Sequence, residues 1–122
     1  MEDNSCIAAG KDDSGVCYGT AKAADDRMAA CMAHDLRAHD VAAVSLYPGL
    51  VRTESVPRAA EHFDLSNSES PQPQFIGCAV TALAADPHIM RTSGQVLFAA
   101  ELALEYGFTD IDGRQPTSLR GT

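Results

Sequence analysis

The sequence predicts an α/β fold, in which helices alternate with the strands of a parallel sheet. A helix-like run from Val16 to His39 leads almost directly into a continuous apolar run, Val41 to Tyr47. A second helix-like run, Gln74 to Ala85, precedes another apolar run, Gln95 to Ala100. A helix that feeds a buried strand is half of a βαβ unit, so this alternation is typical of a parallel sheet with crossover helices.

The first helix is predicted from the spacing of its apolar residues. Ala21, Met28, Ala29, Met32 and Leu36 recur at intervals of three, four and seven residues, which would form an apolar stripe on one face. Alanine is also frequent along the run and is the best helix former. The stripe predicts that Met28 and Met32 pack in the core.

The first strand, Val41 to Tyr47, is expected to be buried on both faces, because its apolar run is unbroken. Pro48-Gly49 would end it. Residues 50–74 then lose hydrophobic periodicity. A connection of that length in a compact domain is typical of a functional lid or of a disordered loop.

Turn residues mark the ends of the later elements. The second helix is predicted to stop at Asp86-Pro87, and Ser93-Gly94 to form a turn before the last strand. Residues 101–106 are ambiguous, and could form a helical turn that Gly107 ends. We therefore divide the chain into one partial domain, residues 1–108, and a loose polar tail, residues 109–122.

Composition excludes several classes of function. The 122 residues are enough for one modest core, and a net charge of −8 argues against nucleic acid or an anionic membrane as partner. No stretch approaches the roughly 20 apolar residues that span a bilayer. The acidic start, Met1 to Asn4, lacks the basic and apolar regions of a signal peptide. A cytoplasmic location is the resulting expectation.

The cysteines are interpreted as free thiols. Cys6, Cys17, Cys31 and Cys78 form no C-x-x-C pair, so buried reduced thiols are favoured over a disulfide framework. Cys31 and His34 have a spacing that suits a metal on a helix. No second pair completes a set of four ligands, and we therefore predict no metal site.

Tyr18 and Lys22 are the first candidate for chemistry. Residues four apart lie on one helical face, one turn from each other. A neighbouring ammonium favours the phenolate form of a tyrosine, so such a pair can exchange a proton with a substrate oxygen near neutral pH. By itself the pattern Tyr-x-x-x-Lys is common by chance.

Further motifs give the pair a context. Ser5 stands thirteen positions before Tyr18, and a turn of the form Pro48-Gly49-x-Val51-x-Thr53 follows the first strand. In this order and spacing, the set resembles the second half of the short-chain dehydrogenases/reductases. Residues 94–97 also resemble that family's last core strand, and residues 102–114 resemble the tail of one of its branches.

The resemblance implies a fold and a reaction. The fold would be the C-terminal portion of a Rossmann-like, doubly wound parallel sheet with about two to three strands and their crossover helices. The reaction would be hydride transfer between NADP or NAD, with NADPH slightly favoured, and a small carbonyl or alcohol substrate. Tyr18 would act as general acid, Lys22 would hold the nicotinamide ribose hydroxyls and favour ionisation of Tyr18, and Ser5 would hydrogen-bond the substrate oxygen.

The same resemblance implies a cofactor turn and a dimer. The backbone from Pro48 through Gly49 to Val51, with the hydroxyl of Thr53, would hold the nicotinamide end of the cofactor. Residues 54–72 would cover the substrate. The helix at residues 16–39 would pack against its copy in a homodimer.

One feature of the family is missing from the sequence. Its glycine-rich phosphate-binding turn does not precede Ser5, so the chain is expected to lack the dinucleotide-binding half. Two alternatives follow: a partial oxidoreductase, or a non-catalytic truncated fragment or dimerisation module.

Overall fold

A computed structural model of the chain describes residues 15–49, 51 and 72–118. The strands of the described part pair in a parallel sheet of order β1-β2, so the predicted α/β class is confirmed. The elements, in chain order, are α1 (Gly15–Leu36), a 3-10 turn (Arg37–His39), β1 (Ser45–Tyr47), α2 (Pro73–Ala85), a second 3-10 turn (Ile89–Thr92), β2 (Val96–Phe98) and α3 (Ala99–Tyr106).

Both strands are shorter than predicted. β1 has three residues instead of seven, and all three are half-buried, so the expected burial on both faces is wrong. β2 ends at Phe98, because Ala99 and Ala100 already belong to α3. In the described part of the chain each strand pairs with a single neighbour, whereas a central strand of a sheet pairs with a neighbour on both edges.

The chain divides into two compact units. The first comprises residues 1–45, 88–96 and 119–122, and its described part contains α1 and the segments that lead into β1 and β2. The second comprises residues 46–87 and 97–118, and contains α2 and α3. No described helix is both long enough and apolar enough to cross a membrane.

In the first unit, α1 turns a face of small residues inwards. Gly19, Ala29 and Ala33 are buried on this face. Met28 and Met32 are instead 57% and 44% exposed, so the prediction that they pack in the core is wrong. The reason is the close approach of Ala33 to Gly94, which leaves no room for a long side chain at that point of the inward face.

In the second unit, α2 packs on α3 around one aromatic ring. Phe75 is completely buried, and its ring centroid lies 5.3 Å from that of Phe108, with the planes tilted by 55°. Smaller apolar side chains fill the remaining space between the helices: Ala79, Leu83, Ala99, Leu102 and Ala103. This tilted arrangement is one that aromatic pairs prefer.

Helix ends in the second unit follow the sequence signals. Pro73 occupies the first turn of α2, where its missing N–H costs nothing. α2 ends at Ala85, before Asp86-Pro87, as predicted. Gly107 ends α3 with φ +75°, the left-handed conformation that glycine adopts readily, and its N–H donates to the carbonyl of Ala103 over 2.9 Å.

Residues 109–118 do not form the loose tail that composition predicts. Asp110 is only 5% exposed, and its Oδ2 accepts the backbone N–H of Gln72 over 2.7 Å. Ser118 Oγ donates to Glu101 Oε1 over 3.0 Å. Polar atoms of this segment make hydrogen bonds within the second unit. Composition alone cannot distinguish polar side chains that make such bonds from polar side chains that only contact water.

Candidate active site

The structure brings Tyr18 and Lys22 together in the first turns of α1. The Lys22 ammonium lies over the Tyr18 ring, with Nζ 5.6 Å from the ring centroid. Tyr18 is 51% exposed, and the side chain of Lys22 is 44% exposed. An ammonium is attracted to the electron-rich face of an aromatic ring. The predicted pair therefore exists as a contact, and it is open to molecules from solvent.

Asp25 is the carboxylate nearest to this ammonium that the structure describes. Its Oδ2 lies 3.4 Å from Lys22 Nζ, and its side chain is 53% exposed. Exposed pairs of this kind contribute little free energy, because water screens them. A lysine ammonium carries three donors, and this contact uses one of them. Lys22 can therefore bind further oxygen acceptors without losing a strong partner.

Asp26 makes a contact that the sequence reasoning missed. The Ser45 hydroxyl donates to Asp26 Oδ1 over 2.6 Å, and both side chains are partly buried. Asp26 lies one turn after Lys22 on α1, and Ser45 is the first residue of β1. The sequence feature that could have indicated this contact was the single serine within the apolar run that contains β1.

The expected cofactor turn is described in part. Pro48 and Gly49 are exposed and Val51 is half-buried, all three within the second unit. Gly49 has φ +80°, and no atom of the described residues lies within 4 Å of the position that a Cβ would occupy there. A backbone of that kind can be approached closely by a flat group. Ser5 and Thr53 lie outside the described residues, as do residues 54–71 of the substrate cover expected at residues 54–72, so these roles stay predictions.

The thiols of the described residues are free, as predicted, but not buried. Cys17, Cys31 and Cys78 are all exposed, so the expectation of core thiols is wrong for these three. Cys17 and Cys31 follow the outward face of α1, because the inward face is taken by Gly19, Ala29 and Ala33. Cys6 lies outside the described residues. Within residues 15–49, 51 and 72–118, no three metal-binding side chains cluster.

Comparison with known proteins gives the candidate site its family context. Dehydrogenase/reductase SDR family member 1 of Mus musculus is 48% identical to the chain over 110 residues, an alignment that covers 80% of this chain and 34% of that protein. The Homo sapiens protein of the same name is 41% identical over 108 residues, with the same two coverages. No protein-family model matches the chain.

These identities extend well beyond the few motif residues. The alignment covers 80% of the chain, and the parallel α/β arrangement is the one expected for this family. Over the matched residues the chain is similar to two proteins of the short-chain dehydrogenase/reductase family, and it spans about a third of the length of these curated relatives.

Proposed function

We propose that the chain supplies the proton-transfer part of an NAD(P)(H)-dependent oxidoreductase that interconverts a carbonyl compound and an alcohol. The observation that carries the proposal is the contact between Lys22 Nζ and the Tyr18 ring at 5.6 Å. It occurs in a chain that is 48% and 41% identical to two proteins named as dehydrogenase/reductase family members. The names of those relatives indicate the reaction class for this chain.

Each of the two units, taken by itself, carries described residues whose chemistry suits the nicotinamide end of such a cofactor. In the first unit Lys22 carries ammonium donors that suit the vicinal hydroxyls of a ribose, and among the described residues the contact that competes for them is the weak, exposed one to Asp25. The open backbone at Gly49 suits a flat ring or amide, with Pro48 and Val51 on either side of it along the chain. When bound, the nicotinamide would supply the hydride for the carbonyl carbon.

The residues of the chain would handle the proton and the charge. In the reductive direction the Tyr18 hydroxyl donates its proton to the substrate oxygen as negative charge develops there. The Lys22 ammonium stabilises the phenolate that remains. Because Tyr18 is 51% exposed, water can return the proton. Ser5 would donate a hydrogen bond to the same substrate oxygen, and Thr53 would assist Pro48, Gly49 and Val51 at the cofactor.

A second function, self-association through α1, is favoured by a specific observation. The outward face of this helix carries Met28 and Met32 at 57% and 44% exposure, together with exposed alanines at positions 21 and 24. Small residues permit close approach of two helices, and methionines fill irregular gaps between them. We propose that this face packs against its copy in a homodimer, either within the enzyme or as a dimerisation module without activity.

The experiment that tests the enzymatic proposal is a replacement in the mouse relative. The aligned third of that protein is exchanged for this chain, and reduction of a panel of ketones and aldehydes is followed by the loss of NADPH and, separately, NADH absorbance. We expect turnover that falls by about 10²–10⁴-fold when Tyr18→Phe removes the acidic hydroxyl. Lys22→Met should weaken cofactor binding as well as turnover.

The 122-residue chain is tested alongside by calorimetric titration with NADPH. Binding that Lys22→Met abolishes would support a cofactor site formed by this chain itself. The matched control is Arg27→Met, which removes an exposed cation from the same helix away from Tyr18. Undiminished turnover of the Tyr18→Phe replacement protein would overturn the assignment of the acid, and absence of turnover in the unmutated replacement would favour the non-catalytic alternative.

A further inference from the structure

Helix α1 is held at two points on its inward face, seven residues apart. At the C-terminal point, Ala33 approaches Gly94 so closely that a Cβ on the glycine would lie 3.2 Å from the alanine Cβ. At the other point, Asp26 Oδ1 accepts the Ser45 hydroxyl over 2.6 Å. The helical rise of about 1.5 Å per residue separates the two points by roughly 10 Å.

The point at Asp26 is the nearer one to the candidate active site. Lys22 stands one helical turn before Asp26, and Tyr18 two turns before it. The first turns of the helix are exposed at Val16, at 82%, and at Tyr18, at 51%. Among the described residues, several side chains make hydrogen bonds between elements. Of these bonds, the one between Asp26 of α1 and Ser45 of β1 lies nearest to Tyr18 and Lys22.

The bond is of the strong kind. A hydroxyl donating to a carboxylate gives shorter and stronger hydrogen bonds than neutral partners do, typically about 2.5–2.7 Å long. Partial burial of both side chains protects the bond from competing water. Ser45 is itself fixed, because its backbone N–H donates to the carbonyl of Gln95 over 3.1 Å. The carboxylate of Asp26 thus connects α1 to a backbone position that is already held by the segment entering β2.

We propose that Asp26 is a positioning residue for the Tyr18/Lys22 pair, acting through Ser45. Its hydrogen bond fixes the rotation and the axial position of the first turns of α1 relative to the start of β1. Groups that transfer protons must be held within about 0.5 Å of their working geometry, and side chains that do so depend on bonds of this kind. The inference rests on the proposed function for its catalytic meaning, whereas its structural content can be tested independently.

The test compares four single variants of the full chain and the double variant that combines Asp26→Ala with Ser45→Ala. Asp26→Ala removes the acceptor and Ser45→Ala removes the donor, whereas Asp26→Asn retains an oxygen that can accept the hydroxyl. Ser93→Ala is the matched control, because the Ser93 hydroxyl also makes a partly buried hydrogen bond in the same unit, accepting the Ala43 N–H over 3.1 Å, and Ala43 lies outside α1. Amide hydrogen exchange is measured along the helix.

We expect Asp26→Ala and Ser45→Ala to accelerate exchange of residues 19–25 about tenfold, with much less change at residues 29–36. The double variant should exchange no faster than Asp26→Ala alone, because that change already removes the bond to Ser45. Asp26→Asn should stay close to the unmutated chain. A spectroscopic signature should accompany the loss: the Lys22 side-chain protons should lose part of the ring-current shift from Tyr18 as the first turns fray.

Three results would overturn the inference. They are equal acceleration along the whole of α1, an Asp26→Asn variant that behaves like Asp26→Ala, and an equal effect of Ser93→Ala on residues 19–25. NADPH affinity, measured on the same variants, separates this inference from the proposed function. If the unmutated chain binds NADPH, Asp26→Ala should weaken binding and Asp26→Asn should not. If it does not bind, the cofactor proposal fails for the chain by itself, and the exchange data alone decide the positioning role.

Discussion

Gly94 and Ala33 are in backbone-to-side-chain contact: a Cβ added to Gly94 would stand 3.2 Å from the Cβ of Ala33. Gly94 also has φ +85°, a conformation that residues with a side chain rarely adopt. Its N–H donates to the carbonyl of Ala43 over 2.7 Å, so the residue cannot move away without breaking a short hydrogen bond. The inward face of α1 is therefore limited to a small side chain at Ala33.

Gly94→Ala should destabilise the chain by about 1–3 kcal/mol, because it combines an unfavourable φ with a close contact. The midpoint of urea unfolding, followed by helix circular dichroism, measures the change. Gly113→Ala is the matched control: Gly113 has φ +81° but no atom within 4 Å of an added Cβ. Equal losses in the two variants would show that the contact with Ala33 contributes nothing.

Phe75→Leu should cost about 1–2 kcal/mol of unfolding free energy. The substitution nearly conserves apolar character, but it removes the tilted ring contact with Phe108 and leaves unfilled volume at a completely buried position. Differential scanning calorimetry gives the shift in Tm. Ile111→Ala, at a residue that is 66% exposed, should change Tm little, and a larger effect there than at Phe75 would contradict the packing described for α2 and α3.

Asp110→Asn should destabilise the second unit by about 1–3 kcal/mol. Both carboxylate oxygens of Asp110 accept backbone N–H groups, from Gln72 and Ile111, each over 2.7 Å. An asparagine offers one oxygen, so one buried N–H loses its acceptor. Asp112→Asn provides the comparison: among the described residues that exposed carboxylate binds the neighbouring Arg114, and its replacement should change the unfolding free energy by less than about 0.5 kcal/mol. Chemical denaturation of both variants decides the difference.

The thiols of Cys17, Cys31 and Cys78 should react with a disulfide reagent in the native protein at dilute concentration. All three are exposed, and access to solvent is the first requirement for such exchange. Counting the thiolate released without denaturant, with serine replacements to assign each site, checks the expectation. Fast reaction that appears only after unfolding would contradict the orientation described for α1.

Met28→Glu should weaken self-association if the outward face of α1 forms the proposed dimer. A buried carboxylate opposite its own copy is unfavourable both by desolvation and by like-charge repulsion. Sedimentation velocity over a range of concentrations measures the effect, and a loss of at least tenfold in association constant is expected. Leu104→Glu, at a residue that is 72% exposed on α3, is the matched control and should leave the association unchanged.

The sequence predicted the elements better than their burial. Helix α2 follows its prediction to within one residue, because proline at its start and Asp86-Pro87 after its end are local signals that do not depend on packing. The helical course of α1 was likewise correct. Its inward face was not, because alanine and glycine positions give a weak periodic signal and two methionines dominate the stripe.

In the candidate site, too, one contact could be predicted from the sequence and another could not. The spacing of Tyr18 and Lys22 was enough to predict their contact, because a helix fixes the geometry of residues four apart. The bond between Asp26 and Ser45 joins residues nineteen apart in sequence, and neither residue belongs to a recognisable motif. Strand lengths were overestimated for a related reason: pairing with a neighbour, and not hydrophobicity, decides where a strand ends.

The hydrogen bonds around Asp110 also limit how far the chain can be shortened from its C-terminal side. A chain that stopped at Thr109 would lose the acceptor for the Gln72 N–H, at the entry to α2. It would also lose the Ser118 hydroxyl that donates to Glu101, in the first turn of α3. Removal of this polar stretch would therefore remove hydrogen bonds at the first turns of two helices. A shortened chain for experimental work should retain all residues up to Ser118.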